Sequence, residues 1–389
     1  MLNIAGNGMG DYTFDNLKID IDSYDTIICD KNFKEDGKKI KKYSYKEAKE
    51  YIINNYKRED ILYVVTGSPL FFSAGTIIAK LIDKSYLKIT NNTSSLEYIQ
   101  SHFAISSIDI DAISIHGRSR IDLNRFLTNN YTLILCDKES IHRLQKATQY
   151  ISKEKIESCI GYKLGYSDER IEAIDLRNFD NSKYDLTQPY VILIKQNFKP
   201  YRATSQDDEF ITQRGMITKQ YKRDLALQYL NLEPNLTLWD IGAGSGSCAI
   251  EAFKRYRVKT ILFEKQPLRC DYIRQNLKEH NILDTILYEG EAQEIFDRVD
   301  TKVDRIFVGG GGVEVIAKLP YLYDRLEDGG ILLMVAITLK NLTEMLSVLK
   351  NHHIEYEIIS LSITTHKGKL DLIEPQREVF MIKINKGLE

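Results

Sequence analysis

The chain has 389 residues, 43% of them hydrophobic and 28% charged, and a formal net charge of −2 at pH 7. That length predicts two domains of similar size, each able to bury its own core. The near-neutral balance excludes a global electrostatic pull toward nucleic acid or an anionic membrane, and no apolar run approaches the ~18 residues of a membrane span.

The first segment, Met1-Leu2-Asn3-Ile4-Ala5, reads straight into a strand, with no basic-then-apolar leader. The N-terminal half then alternates short apolar runs with amphipathic stretches. Strands are expected at Leu2–Ala5, Thr26–Cys29, Ile61–Val65, Leu87–Ile89, Ala112–Ile115 and Thr132–Cys136. Helices are expected at Ser44–Tyr56, Phe71–Asp83, Ser94–Phe103 and Ser140–Tyr150. Such alternation predicts a parallel sheet covered by helices. Ile156–Ile160, Ile171–Ile174 and Tyr190–Ile194 follow with fewer helices between them and predict a second sheet in this half. The pattern breaks around residues 197–210, and the polar run Thr204-Ser205-Gln206-Asp207-Asp208-Glu209 reads as part of a linker, 199–209. The expected domains are thus 1–198 and 210–389.

The second half opens with a basic amphipathic helix, Lys219–Asn231. Strands are expected at Leu236–Ile241, Thr260–Phe263, Thr285–Tyr288, Arg305–Val308 and Ile331–Val335. Helices at Ser247–Arg255, Pro267–His280, Val313–Arg325 and Leu339–Asn351 separate or follow them. The end reads as two strands, Tyr356–Ile363 and Val379–Ile384, joined by a polar loop, His366–Gln376. The five cysteines are scattered without a C-x-x-C pair. They predict buried free thiols in a reducing compartment, the cytoplasm, and neither disulfides nor structural zinc. The adjacent pair His352-His353 reads as a helix end, and no metal site is expected.

One motif carries chemistry. Leu238-Trp239-Asp240-Ile241-Gly242-Ala243-Gly244-Ser245-Gly246-Ser247 reads as a buried strand, a glycine-rich turn and the start of a helix. Glycine is needed where a turn is tight and a ligand must approach bare backbone. A dinucleotide fingerprint would run G-x-G-x-x-G. Here the glycines fall at alternate positions and Ser247 stands where the third dinucleotide glycine would be, with Asp240 two residues before the first. That spacing resembles motif I of the S-adenosylmethionine-dependent methyltransferases. Glu264 ends the next apolar strand, roughly 20 residues on, where a carboxylate can accept hydrogen bonds from both ribose hydroxyls. Gly309-Gly310-Gly311-Gly312 directly follows another strand and is either a second backbone rim or a plain turn. Trp239 reads as packing.

Met216-Ile217-Thr218-Lys219, the Trp239–Gly246 run, Gly290-Glu291-Ala292 and Phe307-Val308 with the four glycines together resemble the CbiT-type methyltransferase module of cobalamin biosynthesis. The likeness covers Gly215 to the C-terminus. The first half resembles a different fold, the tetrapyrrole methylases of the CbiE type. It does so through Ile4-Ala5-Gly6-Asn7-Gly8-Met9-Gly10, Val65–Phe72, Thr93-Ser94-Ser95-Leu96, Ile115-His116-Gly117-Arg118 and Leu164–Ile171. Two departures stand out. Gly67-Ser68-Pro69 replaces the usual G-D-P, and Asn91-Asn92 replaces a proline-glycine. The two modules in this order resemble the fused, decarboxylating precorrin-6Y methyltransferases.

The resemblance implies an α/β chain: a two-subdomain tetrapyrrole methylase fold, then a class I Rossmann-like methyltransferase. It implies S-adenosylmethionine as cofactor and methylation of a precorrin-6-type macrocycle at C-5 and C-15. Loss of carbon dioxide from the C-12 acetate would give precorrin-8. The implied cofactor residues are Thr218, Gly242, Ala243, Gly244, Ser245, Gly246, Glu264 and Ala292 in the second half, and Gly8, Gly67, Ser68, Ser94 and Ser95 in the first. A polycarboxylate substrate implies local positive charge, for which Arg118, Lys219 and Arg223 are candidates, with Arg120 and Lys222 beside them and Gly310 and Gly311 as rim. A solvated surface cation is the plain alternative for each. No catalytic residue is identified. A homo-oligomer, dimer or tetramer, is implied, without nucleic-acid or membrane partners. Two rivals remain: a methyltransferase acting on RNA or another small molecule, with an accessory first half, and a non-catalytic cofactor-binding module.

Overall fold

The computed structural model describes the chain except residues 18, 118–120, 127–128, 198–203, 300–301, 311, 369–371 and 388–389. It forms two compact units: residues 1–120, 125–141 and 157–196 in the first, and 121–124, 142–156 and 197–389 in the second.

The first unit begins with β1 (Leu2–Gly6), β2 (Thr26–Cys29), β3 (Ile40–Lys42), β4 (Ile61–Val65) and β5 (Leu87–Thr90). They form an all-parallel sheet in the order β3-β2-β4-β1-β5. Alternation of side chains explains the unbroken apolar runs. Ile61, Tyr63 and Val65 pack in one cluster with Ala48 and Ile52 of α1 (Tyr45–Asn55) and Ile78 of α2 (Ala74–Ala79). Leu62 and Val64 pack with Phe14 and Phe33 on the other face. A strand covered on both sides has no face to leave polar. The helix α1 starts at a capping box, Ser44 with Glu47. The second sheet holds β6 (Ile110–Ser114), β7 (Tyr131–Leu135), β8 (Ile156–Tyr162), β9 (Arg170–Ile174) and β10 (Tyr190–Gln196), ordered β6-β7-β10-β8-β9. The helices α3 (Ser95–Phe103), α4 (Leu123–Phe126) and α5 (Ser140–Ala147) lie between these strands in sequence.

The second unit follows α6 (Gln220–Tyr229) with a seven-stranded sheet. Its strands are β11 (Thr237–Ile241), β12 (Lys259–Glu264), β13 (Thr285–Glu289), β14 (Val303–Val308), β15 (Leu326–Ala336), β16 (Glu357–Leu361) and, after a small hairpin of β17 (Thr364–Lys367) and β18 (Leu372–Pro375), β19 (Val379–Asn385). The order β13-β12-β11-β14-β15-β19-β16 is parallel from β13 to β15, and β19 lies antiparallel between β15 and β16. The same period-two logic holds: Ile306 and Val308 face one core cluster, Phe307 the other. The helices α7 (Ser247–Tyr256), α8 (Pro267–Glu279), α9 (Ala292–Ile295), α10 (Gly312–Ile316), α11 (Leu319–Arg325) and α12 (Leu339–Asn351) cover the sheet.

Three expected elements differ. The helix expected over Val313–Arg325 is two, because Pro320 in the first turn of α11 cannot donate to a preceding turn. The helix expected over Phe71–Asp83 shrinks to α2, which starts only after Phe72, held at φ 46°, and the Ser73 cap. The loop expected at His366–Gln376 contains the β17–β18 hairpin. The strand β3 is unexpected: three residues, two of them lysines, give periodicity nothing to register. His352 caps the end of α12, and Trp239 is fully buried, stacked on Phe296. Among the described residues the cysteines are free, no cluster suits a metal ion, and no helix is long and apolar enough to cross a membrane.

Candidate functional site

The sheet of the second unit grows outward from β11 in both directions, to β12 on one side and β14 on the other. The loops after β11 and β14 therefore diverge at a switch point, where ligands bind in open α/β sheets. The glycine turn follows β11, and Gly309 and Gly310 follow β14. Gly309 N–H donates to the Ile241 carbonyl at 3.0 Å, closing the two loops together. Gly242, Gly244 and Gly246 have φ of 70°, 62° and 76°, a region that penalises any Cβ. A Cβ on Gly242 would lie 2.9 Å from the Gly310 backbone, whereas one on Gly244 would enter open space, with only the Gly242 carbonyl within 4 Å.

Glu264, at the end of β12, is buried and organises this turn. Its Oε2 accepts the Gly244 N–H at 2.9 Å, and its Oε1 accepts the N–H groups of Lys265 and Gln266 at 3.0 and 2.9 Å. The carboxylate thus fixes the turn and the start of α8 together. Ala243 N–H donates to the Phe263 carbonyl, and the buried Ser245 gives its carbonyl to Asn276 Nδ2 at 2.8 Å. Ala292 begins α9 just after Gly290, whose N–H donates to the Glu264 carbonyl. The Thr218 side chain lies beside the Cys248 thiol in the first turn of α7. Burial pushes that thiol upward, so it stays protonated and acts as packing. The fold thus brings Thr218, the glycine turn, Glu264, Ala292 and Gly310 to one edge of one sheet.

Asp240 was legible only as part of the motif. It is 1% exposed, and its Oδ2 accepts the Ala249 N–H at 3.2 Å. Burial, against that hydrogen bond and with the Glu264 charge adding to it, pushes its pKa up to about 7.

Arg223, expected to face substrate, does not. It is fully buried, donating to Asp207 Oδ1 at 3.2 Å, the Thr218 carbonyl at 2.6 Å and the Ser205 carbonyl at 2.8 Å, over the Phe210 ring. Five donors on a planar fork suit it to gathering carbonyls from an irregular segment. That segment is the polar run read as linker. Ser205 is buried, its N–H donates to Glu251 Oε1 at 2.9 Å and its hydroxyl accepts from Lys254. Residues 204–209 are therefore tied to α6 and α7. Further along, Asn276 Oδ1 accepts the Ile211 N–H at 2.8 Å while its Nδ2 donates to the Ile211 carbonyl at 3.0 Å. No sequence signal marked Asn276. Lys219 caps α6 without a side-chain bond and lies 3.6 Å from Asp207. Lys222 is buried, not a solvated cation. Arg118, Arg120 and Gly311 lie outside the described residues.

In the first unit the loops after β1 and β4 cross. Gly8 N–H donates to the Gly67 carbonyl at 3.2 Å, and Gly67 N–H donates to the Gly8 carbonyl at 3.0 Å. Gly67 has φ 65°, and a Cβ there would meet nothing within 4 Å. Ser68 and Ser94 turn their hydroxyls into the protein. Ser68 Oγ donates to Asn91 Oδ1 at 2.5 Å and accepts the Leu70 N–H, and Ser94 forms the capping box of α3 with Glu97. Asn91 thus supplies the acceptor that holds Ser68. Ser95 is the first residue of α3. His116 Nδ1 lies 3.3 Å from the Cys136 carbonyl.

A parallel sheet closed by an antiparallel strand, a three-glycine turn at its switch point and an acid ending the next strand define a Rossmann-like methyltransferase, the class that uses S-adenosylmethionine. A family model described as a precorrin methyltransferase domain matches residues 209–386. A Pyrobaculum aerophilum protein named a probable cobalt-precorrin-6B C(15)-methyltransferase (decarboxylating) is 30% identical over 182 residues, 45% of this chain and 92% of that protein. The chain belongs to the precorrin methyltransferase family. A Sinorhizobium sp protein named precorrin-6Y C(5,15)-methyltransferase (decarboxylating) is 27% identical over 304 residues, 75% of this chain and 71% of that one. A crystal structure from Geobacter metallireducens GS-15, described as precorrin-6Y C5,15-methyltransferase, is 32% identical, covering 48% of this chain and all of that one, with a TM-score of 0.45.

Proposed function

We propose that this chain is a bifunctional S-adenosylmethionine-dependent C-methyltransferase acting on a precorrin-6-type macrocycle. It methylates C-5 and C-15 and removes the C-12 acetate carboxyl as carbon dioxide, giving precorrin-8. The observation that carries the reading is the glycine turn held open by Glu264, with the space beside Gly244 free of protein. The similarity to the Sinorhizobium protein, which extends across 75% of the chain, supports a role for both halves.

The residues present fit the cofactor. In the second module, 210–389, the backbone of Gly242, Ala243, Gly244, Ser245 and Gly246 would hold its amino-acid end. Glu264 would hold the ribose, Ala292 the adenine, and Thr218 would lie nearby. In the first module, 1–198, Gly8, Gly67, Ser68, Ser94 and Ser95 would hold a second molecule. Because the Ser68 and Ser94 hydroxyls are already bonded within the protein, backbone atoms carry that contact. The cofactor supplies an electrophilic methyl group. The chain's part is to align it with an electron-rich ring carbon and to exclude water, which needs no triad or metal ligand. Lys219, Arg118 and the Gly310–Gly311 rim would face the macrocycle. The assembly is a cytoplasmic homo-oligomer, a dimer or tetramer.

The test is to incubate the full chain with methyl-labelled S-adenosylmethionine and a precorrin-6-type substrate and to count transferred methyl groups by mass spectrometry. The parent adds two. Gly67→Arg, placing a side chain in the open space at φ 65°, and Glu264→Ala each add one, at different carbons. Transfer of none by the parent overturns the reading, and loss of both by either variant overturns the independence of the modules.

A further inference from the structure

Lys222 poses a problem of charge. It lies in the first turn of α6, only 8% exposed. Its Nζ donates to the Arg377 backbone carbonyl at 2.5 Å. Among the described residues no carboxylate lies within ion-pair distance of it. Asp224, two residues further along α6, is taken by Arg255, and Asp207 is taken by Lys219 at 3.6 Å and Arg223 at 3.2 Å. Glu378, next to Arg377, accepts from the Ser360 hydroxyl. What acts on Lys222 instead is positive: burial, then the Arg377 guanidinium, then the Lys219 ammonium all hold its pKa below the usual lysine range. A cation removed from water is normally paired, and like charges around it raise the cost. Here Lys222 is left facing the Arg377 and Lys219 cations without a carboxylate of its own.

The position of the cluster says what could supply one. Lys222 is a turn away from Thr218, at the start of α6. Arg377 lies two residues before β19, whose Phe380 pairs with Ala336 at the end of β15. That end of β15 is the strand edge on which the glycine turn opens. An anion bound by Lys222 and Arg377 would enter from the ligand side of the sheet. The ammonium offers a point charge inside, and the exposed guanidinium a planar fork outside.

We propose that Lys222, Arg377 and Lys219 form a carboxylate-binding subsite that receives an acid side chain of the macrocyclic substrate. This rests on the polycarboxylate reading of the substrate and adds the residues that would recognise it. The cofactor's own carboxylate is the other possible source of the same chemistry, and the test separates them.

Binding to the full chain is measured by calorimetry with two probes, uroporphyrin I, an octacarboxylate macrocycle, and S-adenosylhomocysteine. The variants are Lys222→Met, which fills the same volume without charge, and Arg377→Gln, at an exposed position that does not bear on folding. Each is expected to weaken uroporphyrin binding by about tenfold or more while leaving the S-adenosylhomocysteine affinity unchanged. The unliganded Lys222→Met variant should unfold at the same temperature as the parent or higher, since it loses an uncompensated buried charge. Unchanged uroporphyrin binding in both variants overturns the subsite alone. A parent that binds S-adenosylhomocysteine but no uroporphyrin overturns the polycarboxylate reading and the subsite with it. Loss of S-adenosylhomocysteine affinity with uroporphyrin binding intact assigns the cluster to the cofactor and overturns the substrate role.

Discussion

Gly242 and Gly244 stand two residues apart in the same turn with nearly the same φ, 70° and 62°, yet they should respond differently to alanine. For either, forcing an L-residue into the left-handed region costs about 1–2 kcal/mol, offset by the ~0.4–1 kcal/mol that a less flexible unfolded chain returns. At Gly244 nothing more is added, because the new methyl meets only the Gly242 carbonyl at 3.9 Å. The net loss is about 1 kcal/mol. At Gly242 the methyl would sit 2.9 Å from three backbone atoms of Gly310, which cannot swing aside as a side chain could. Overpacking adds about 1–3 kcal/mol, for a total of about 3 kcal/mol. Binding inverts the order of interest. The Gly244→Ala methyl occupies the space left beside the turn, so a folded variant should lose S-adenosylhomocysteine affinity by about tenfold or more, some 1.4 kcal/mol. Trp239 is the chain's single tryptophan and lies buried in β11, so its fluorescence in a urea titration reports the second unit alone. Calorimetry on the same samples gives the affinity. Gly244→Ala binding like the parent would show that the space beside Gly244 is not where the cofactor lies. Equal stability losses for the two variants would refute the Gly310 contact.

Asp240 predicts a pH dependence of opposite sign to that of an ordinary paired carboxylate. Its folded pKa, about 7, lies above the ~3.9 of an unfolded chain. Between those values the folded protein holds a proton that the unfolded one has lost, so this group's contribution to stability falls as pH rises from about 4 to 7. The ceiling is on the order of 4 kcal/mol. Asp240→Asn cannot ionise, so its stability relative to the parent should climb through that window and level off above it. Parallel curves in urea unfolding would contradict the assignment. Arg223→Leu should destabilise the second unit by about 3–5 kcal/mol, because the Thr218 and Ser205 carbonyls lose a buried donor and Asp207 loses one of its cationic partners, with the residual folded fraction binding uroporphyrin as the parent does. A stable variant with weakened uroporphyrin binding would restore Arg223 as a substrate contact. A fragment beginning at Asp207 should likewise be less stable than one beginning at Asn197, by about 3 kcal/mol, since it lacks the Ser205 groups that meet Arg223, Glu251 and Lys254. Equal urea midpoints for the two fragments would show that the Ser205 contacts contribute nothing.

The glycine turn was readable in the sequence because its requirement is local. Three positive φ angles in five residues can be met cheaply only by glycine, and the alternation of Leu238, Trp239 and Ile241 between two clusters follows from the two-residue period of a strand. The distance from that turn to Glu264 was readable too, since one helix and one strand fix it. The fate of the charged residues was not. Lys219, Lys222 and Arg223 are neighbours on a basic stretch, and composition treats them alike. Only the fold put Arg223 under the segment 204–218, left Lys222 beside Arg377, 155 residues away, and kept Lys219 at the rim. Asn276 and Ser205 carried no signal for the same reason: a hydrogen bond between distant segments leaves no period in the chain that makes it. Backbone geometry is written residue by residue, whereas the burial of a charge depends on which segments cross above it.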